Sequence, residues 1–136
     1  MVGFIRQRVH MQTILLVDDN PLRASMRKSL LEGGAPEVVR ALDAGEALCL
    51  VESPEIARSL ALVITGHVMS GISGPEFVAE FRSRMPDVPV LVLSASGNAE
   101  NEYRGISKVC VSETTSPEEL RSLVRQLTSG DQRRSA

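Results

Sequence analysis

Five short apolar runs, separated by segments that carry the punctuation of helices, predict an α/β fold built on a parallel five-stranded sheet. The runs are TILLV (13–17), the weaker pair Val38-Val39, LALVIT (60–65), Val88 to Leu93 and Val109 to Val111. They are continuous rather than alternating, as suits strands buried on both faces. Their alternation with five helical segments implies right-handed crossovers covering both sides of the sheet.

Each helix has its own signals. After the first run, Asn20-Pro21 opens a helix with proline at its first position, where a missing N–H costs nothing. Leu22, Met26 and Leu30 recur four apart, and Gly33-Gly34 ends it. Asp43-Ala44-Gly45-Glu46 has capping-box spacing and begins a second helix through Ala47, Leu48 and Val51. Ser73 to Glu76 is another such box, with Phe77, Val78 and Phe81 expected to face inward and Pro86 to close the helix. The polar stretch 98–105 offers only Ala99 and Tyr103 as an inner face and predicts a short, weakly held fourth helix. Ser116-Pro117-Glu118-Glu119 caps the last, in which Leu120, Leu123, Val124 and Leu127 fall at i, i+3, i+4 and i+7. Residues 1–11 are expected to be a leader or linker remnant, 12–128 the domain and 129–136 a polar tail, with both ends poorly ordered.

Composition bounds the function. With 136 residues the chain can bury one core without disulfide or metal support. Fifteen Lys and Arg against 17 Asp and Glu leave a net charge of −2, which excludes a strongly basic nucleic-acid binder. No apolar run approaches the roughly 18 residues of a membrane span, and the first ten residues lack the apolar stretch of a secretory signal. The two cysteines, Cys49 and Cys110, form no CxxC pair and suggest free thiols in a reducing, cytoplasmic compartment.

A doubly wound sheet places its ligand crevice beyond the C-terminal ends of its strands. The residues there are Asp18-Asp19, Gly66-His67, Ser94-Ala95 and Ser112-Glu113. Adjacent carboxylates after a buried strand are costly unless a cation or hydrogen-bond donors share the site. Asp18 and Asp19 therefore suit a hard-cation site with oxygen ligands, or else one solvated and one helix-capping carboxylate. Chemistry alone leaves the two level. Gly71-Ile72-Ser73-Gly74-Pro75 brushes the G-x-S-x-G nucleophile elbow, but Pro75 takes the last glycine position and no triad base is evident. No Walker loop, dinucleotide fingerprint or zinc-ligand spacing is present.

From Gln12 to Leu127 the chain resembles the receiver domain of two-component response regulators. The blocks that carry the resemblance are ILLVDDNP (14–21), DAGEAL (43–48), LVITGHVMSGISGPEF (62–77), PVLVLSAS (89–96) and TSPEEL (115–120). GISGPEF is especially similar to receivers fused to histidine kinases. The resemblance implies the flavodoxin-like strand order 2-1-3-4-5. It implies a Mg²⁺ site made by the acidic pair, matched by Asp18 and Asp19, with the backbone carbonyl of Val68. It also implies a hydroxyl at Ser94 that follows the phosphoryl group.

Two essential parts depart from the pattern. The phosphoacceptor aspartate position holds Gly66, and the lysine position after the fifth strand holds Glu113. Lys108 lies too early in the strand to substitute. Three accessory positions are altered as well: Ser70 and Thr114 stand where the family has proline, and Cys110 where it often has an aromatic residue.

Glycine offers no nucleophile for an acyl phosphate. A phosphoryl group would meet a carboxylate instead of an ammonium, and two unit charges at roughly 4 Å interact by about 4 kcal/mol at an effective dielectric near 20. The expectation is a degenerate receiver with a vestigial Mg²⁺ site of weak or absent binding. It is a non-enzymatic module that works by contact with a histidine kinase or other signalling protein. The family's face of fourth helix, fifth strand and fifth helix would serve a partner or homodimer. The chain would be a stand-alone regulator or a piece of a larger protein such as a hybrid kinase.

The alternative is an active phosphorelay receiver with a non-standard acceptor, for which His67 is the neighbouring candidate against a plain exposed loop histidine. Glu113 joining Asp18 and Asp19 in a triacidic cluster is a further reading of the metal site. A restoring pair, Gly66→Asp with Glu113→Lys, is expected to regain Mg²⁺ affinity and phosphate uptake.

Overall fold

The computed structural model describes residues 12–33, 36–95, 97–113 and 116–135. The expected leader 1–11, the second helix-stop glycine Gly34, Ser96, the altered position Thr114, its neighbour Thr115 and Ala136 lie outside the described residues. The chain runs β1 (Thr13–Val17), α1 (Pro21–Glu32), β2 (Glu37–Ala41), α2 (Ala44–Leu50), α3 (Pro54–Ser59), β3 (Leu60–Gly66), α4 (Gly74–Arg84), β4 (Val90–Ser94), a 3₁₀ helix (Ala99–Tyr103), β5 (Val109–Glu113) and α5 (Pro117–Ser135). All strand pairs are parallel, in the order β2-β1-β3-β4-β5.

Strand alternation sorts the core into two layers. Ile14, Leu16, Leu62, Ile64, Leu91 and Leu93 pack against α1 and α5 through Ala24, Leu31, Leu120 and Val124. Leu15, Val17, Val63, Val90 and Val92 face the other way, onto α2, α4 and the 3₁₀ helix. Phe77, Val78 and Phe81 of α4 are wholly buried there, as their spacing predicts. Asn20, Asp43 and Ser73 each cap a helix through the side chain, and Ser73 with Glu76 closes a full capping box. That role replaces any nucleophile-elbow reading of Ser73.

Four features differ from the sequence pattern. Leu22 and Met26 recur at helical spacing yet are 72% and 66% exposed; small Ala24 and Leu31 make the buried contact instead. The segment before β3 forms α3, which buries no residue fully and so leaves no periodic apolar signal. The stretch 98–105 holds a 3₁₀ helix rather than an α-helix, with Ala99 and Tyr103 buried as expected. Finally, α5 continues to Ser135, beyond the last apolar position of its stripe and into the segment expected to be a polar tail.

At the base of the sheet Arg82 acts as a staple. Its guanidinium donates to the carbonyls of Met85 (2.6 Å), Val88 (2.7 Å), Ser107 (3.0 Å) and Lys108 (3.1 Å). The end of α4 and the turns entering β4 and β5 are thereby joined. Lys108 adopts a left-handed φ of 57°, and its carbonyl also receives Val90 N–H at 3.0 Å.

Candidate functional site

The C-terminal ends of β1, β3 and β4 bring Asp18, Gly66 and Ser94 to one rim, as the parallel topology requires. Asp18 is 3% exposed, an expensive place for a carboxylate. Its compensation comes from α1 and the backbone. Asn20 N–H donates to Oδ1 at 3.0 Å. Arg23 donates through Nη2 to Oδ1 at 2.7 Å, and through Nε to Oδ2 at 2.9 Å and to Oδ1 at 3.2 Å. Arg27, one turn further along, donates from Nη1 to Oδ2 at 3.2 Å. On the neighbouring strand, Arg40 grips the Asp18 carbonyl oxygen with Nη2 at 2.8 Å and Nε at 3.1 Å. Burial alone would raise the Asp18 pKa, but Arg23, the Asn20 N–H and Arg27 together hold it below the ordinary value of 3.8.

Asp19 points outward and is about half exposed. Its Oδ2 accepts from Ser70 Oγ at 2.9 Å, and its Oδ1 lies 3.7 Å from Arg23 Nη2. The serine at the altered turn position thus ties the β3–α4 loop to the end of β1.

Gly66 closes β3 opposite Leu93, and His67 N–H donates to Leu93 O at 3.1 Å, so the register at this position is firm. A Cβ placed on Gly66 would meet only ordinary contacts, Val68 O at 3.5 Å and Met69 Cγ at 4.0 Å. The backbone would therefore accept a side chain, although the sequence supplies none. Val68 itself is 87% exposed on the loop.

His67 is not the exposed loop histidine that sequence suggested. Its side chain is 13% exposed; Nδ1 shares a 2.8 Å hydrogen bond with the Tyr103 hydroxyl, and Nε2 lies 3.3 Å from Glu102 Oε2. Gly74 is obligatory beneath this pair, because a Cβ there would collide with the Tyr103 hydroxyl and sit 2.7 Å from His67 O.

Ser94 is buried at the end of β4 and pairs in register with Glu113. The Glu113 side chain turns toward the β4 loop, where its Oε2 would lie 2.9 Å from a Cβ on Gly97. The triacidic cluster is not formed: among the described residues no three His, Cys, Asp or Glu side chains are placed to hold a metal ion. Cys110 is half-buried beside Leu91, its thiol pKa pushed up first by burial and then by Glu100; it and exposed Cys49 are free thiols.

Burial, with a smaller contribution from Glu102, pushes Tyr103 up to about 12. The neutral phenol is therefore the form that the fold favours. Its stabilisation is complete below the unfolded value of 10.0 and is lost as pH rises through about 12. The shift corresponds to about 2–3 kcal/mol. Tyr103 is the sole tyrosine, and the chain has no tryptophan, so tyrosinate absorbance reads this group directly. Urea midpoints measured across that interval should fall in the wild type more steeply than in Tyr103→Phe. Parallel slopes would show that the phenol is not the group lost.

The family model of the response regulator receiver domain matches residues 14–126. This chain belongs to that family. Among relatives, the receiver is 31% identical over 114 residues to response regulator protein FleR of Pseudomonas aeruginosa, covering 83% of this chain and 23% of FleR. It is 27% identical to regulatory protein VanRB of Enterococcus faecalis, covering 84% of this chain and half of that protein. The chain thus spans half or less of these curated relatives.

The signal receiver domain of an HD domain-containing protein from Pseudomonas fluorescens superposes with a TM-score of 0.79 at 20% identity, covering 93% of both chains. Response regulator protein TrrA of Thermotoga maritima, solved with Mg²⁺ and BeF, superposes at 0.70 with 28% identity, covering 86% of this chain and 99% of that one. Two-component signalling and the flavodoxin-like order 2-1-3-4-5 follow for this receiver. No helix among the described residues is long and apolar enough to cross a membrane.

The Mg²⁺ that the family implies finds a poor ligand set in this receiver. Asp18 has both oxygens taken by arginine and backbone donors, Gly66 has no carboxylate, and Glu113 lies over the β4 loop. An ion that demands near-octahedral oxygen ligands would have to displace a guanidinium to enter. The arginines are what sequence reading missed. Arg23 and Arg27 at i, i+4 immediately after an acidic pair were a charge-pattern signal for it.

Proposed function

We propose that this receiver is phosphorylation-incompetent and acts in cytoplasmic two-component signalling through protein–protein contact rather than as an enzyme. The observation that carries the reading is Gly66 at the end of β3, in a register held by pairing with β4. The carboxylate that would attack a phosphoryl donor is missing at that point, and His67 beside it is engaged with Tyr103 and Glu102. Glu113 at the strand end adds negative charge in place of the family's cation. The partner is a histidine kinase or another signalling protein. The edge strand β5 with the 3₁₀ helix and α5 supplies the face for it, or for a second copy.

The test is incubation with acetyl phosphate and Mg²⁺, followed by intact-mass analysis and peptide mapping. The unmodified mass is expected. A phosphoryl group on any residue of the pocket, His67 included, would establish an active receiver with an unusual acceptor and end this reading.

A further inference from the structure

We infer that Arg23, backed by Arg27 and Arg40, is a built-in cation that takes the place of a divalent metal at the acidic pair. The inference deepens the phosphorylation-incompetent reading and rests on it, since it concerns the same pocket.

Three observations carry it. The first is lone-pair occupancy. A carboxylate offers about four acceptor sites, and Asp18 receives four N–H donors in five contacts, Arg23 Nε bridging the two oxygens, all within 3.2 Å. No acceptor site remains on Asp18 for a metal unless a guanidinium leaves. The second is charge. Asp18 and Asp19 bring −2 and Arg23, Arg27 and Arg40 bring +3, so the cluster is net positive before any ion arrives. A divalent cation would enter against like charge.

The third is placement. Arg23 sits in the first turn of α1, which contains no acidic residue, and a cation there opposes the helix dipole. Its fork is nevertheless aligned on Asp18, and the outer acid Asp19 is drawn in at 3.7 Å. Ser70 then joins Asp19 to the β3–α4 loop, linking by direct hydrogen bond two segments that an ion would otherwise bridge. The pocket is consequently held in a single charge state by the chain's own side chains, whatever the divalent-ion concentration.

The experiment is a Mn²⁺ titration of the full chain, followed by paramagnetic broadening of backbone amides. Wild type, Arg23→Gln and the double variant Arg23→Ala/Arg27→Ala are compared, with Mg²⁺ competition to identify the site. Wild type should show no saturable broadening at residues 17–20 and 66–68. Arg23→Gln should gain it, with an affinity at least about tenfold above the upper limit that the wild-type titration sets, a difference of about 1.4 kcal/mol or more. Arg27 still pairs with Asp18 in that variant, which keeps it folded. The double variant should bind more tightly still; if it folds only when Mn²⁺ is added, that too shows the ion taking the guanidiniums' place.

Saturable broadening at Asp18 and Asp19 in the wild type overturns the inference. So does Arg23→Gln that is folded by its amide spectrum yet binds no better than wild type. Acetyl phosphate labelling of the same samples reports separately on phosphorylation. A labelled wild type ends the incompetence reading, whereas the broadening decides the metal.

Discussion

Removing the guanidiniums of Arg23 and Arg27 together by alanine substitution is expected to destabilise the fold by about 3–5 kcal/mol at neutral pH, because it strands a buried carboxylate without a counter-ion. The Asp18 side chain is 1% exposed, and Arg23 and Arg27 are the cations paired with it. Adding Asp18→Asn should recover much of the loss, since an amide needs hydrogen bonds but no compensating charge. Urea melts of the single, double and triple variants close the thermodynamic cycle; additive effects would mean that the arginines act elsewhere.

The acid response gives an independent reading. In the wild type the folded-state pKa of Asp18 is depressed, so its contribution is present above the unfolded value of 3.8 and is lost as pH falls below it. Without the arginines, burial, which raises that pKa, is opposed only by the Asn20 N–H. The deficit of the double variant should therefore shrink, not grow, as the solution is made acidic.

The second large effect is a gain of chemistry. Gly66→Asp with Glu113→Lys supplies the carboxylate and the ammonium that the proposed reading takes to be absent, and a Cβ at Gly66 would meet only ordinary contacts. Arg23 nevertheless occupies both oxygens of Asp18. The pair alone should remain unlabelled by acetyl phosphate, whereas adding Arg23→Ala should allow Mg²⁺-dependent uptake. In that step a carboxylate oxygen forms a bond to phosphorus, the bond from phosphorus to acetyl oxygen breaks, and acetate leaves. Intact mass before and after chelation checks it. Equal labelling of the pair and the triple variant would show that Arg23 presents no obstacle.

What could be read from residues alone divides along physical lines. Strands such as Thr13–Val17 are apolar without interruption because both faces are covered, and caps such as Ser73 with Glu76 are local chemistry; both are visible in one dimension. The strand ends followed, so Asp18, Gly66, Ser94 and Glu113 could be placed at them from the sequence. Burial within a helix was less legible: the four-residue recurrence of Leu22 and Met26 marks an outward face, while the buried contact falls to Ala24, whose small side chain carries little hydrophobic signal.

Side-chain partnerships across elements were not legible. Arg40 reaches Asp18 from β2, 22 residues away, and Tyr103 reaches His67 across 36. Such pairings depend on tertiary closeness. The residues at the strand ends were visible in the sequence, whereas the pairing of Arg23 and Arg27 with Asp18 left only their i, i+4 spacing as a sign.

The arginine staple at the base of the sheet bears on how the chain behaves in a crowded solution. The strand β5 is an edge, with a row of backbone donors and acceptors facing outward, and such rows recruit other chains when they open. Arg82 fixes the turns that lead into β4 and β5, so the start of the edge strand is tied to the sheet behind it. A variant lacking that guanidinium would betray itself first in light scattering, as fraying edges find one another while most of the secondary structure is still intact. The expected scattering would tie colloidal stability to one side chain at the end of the molecule remote from its pocket.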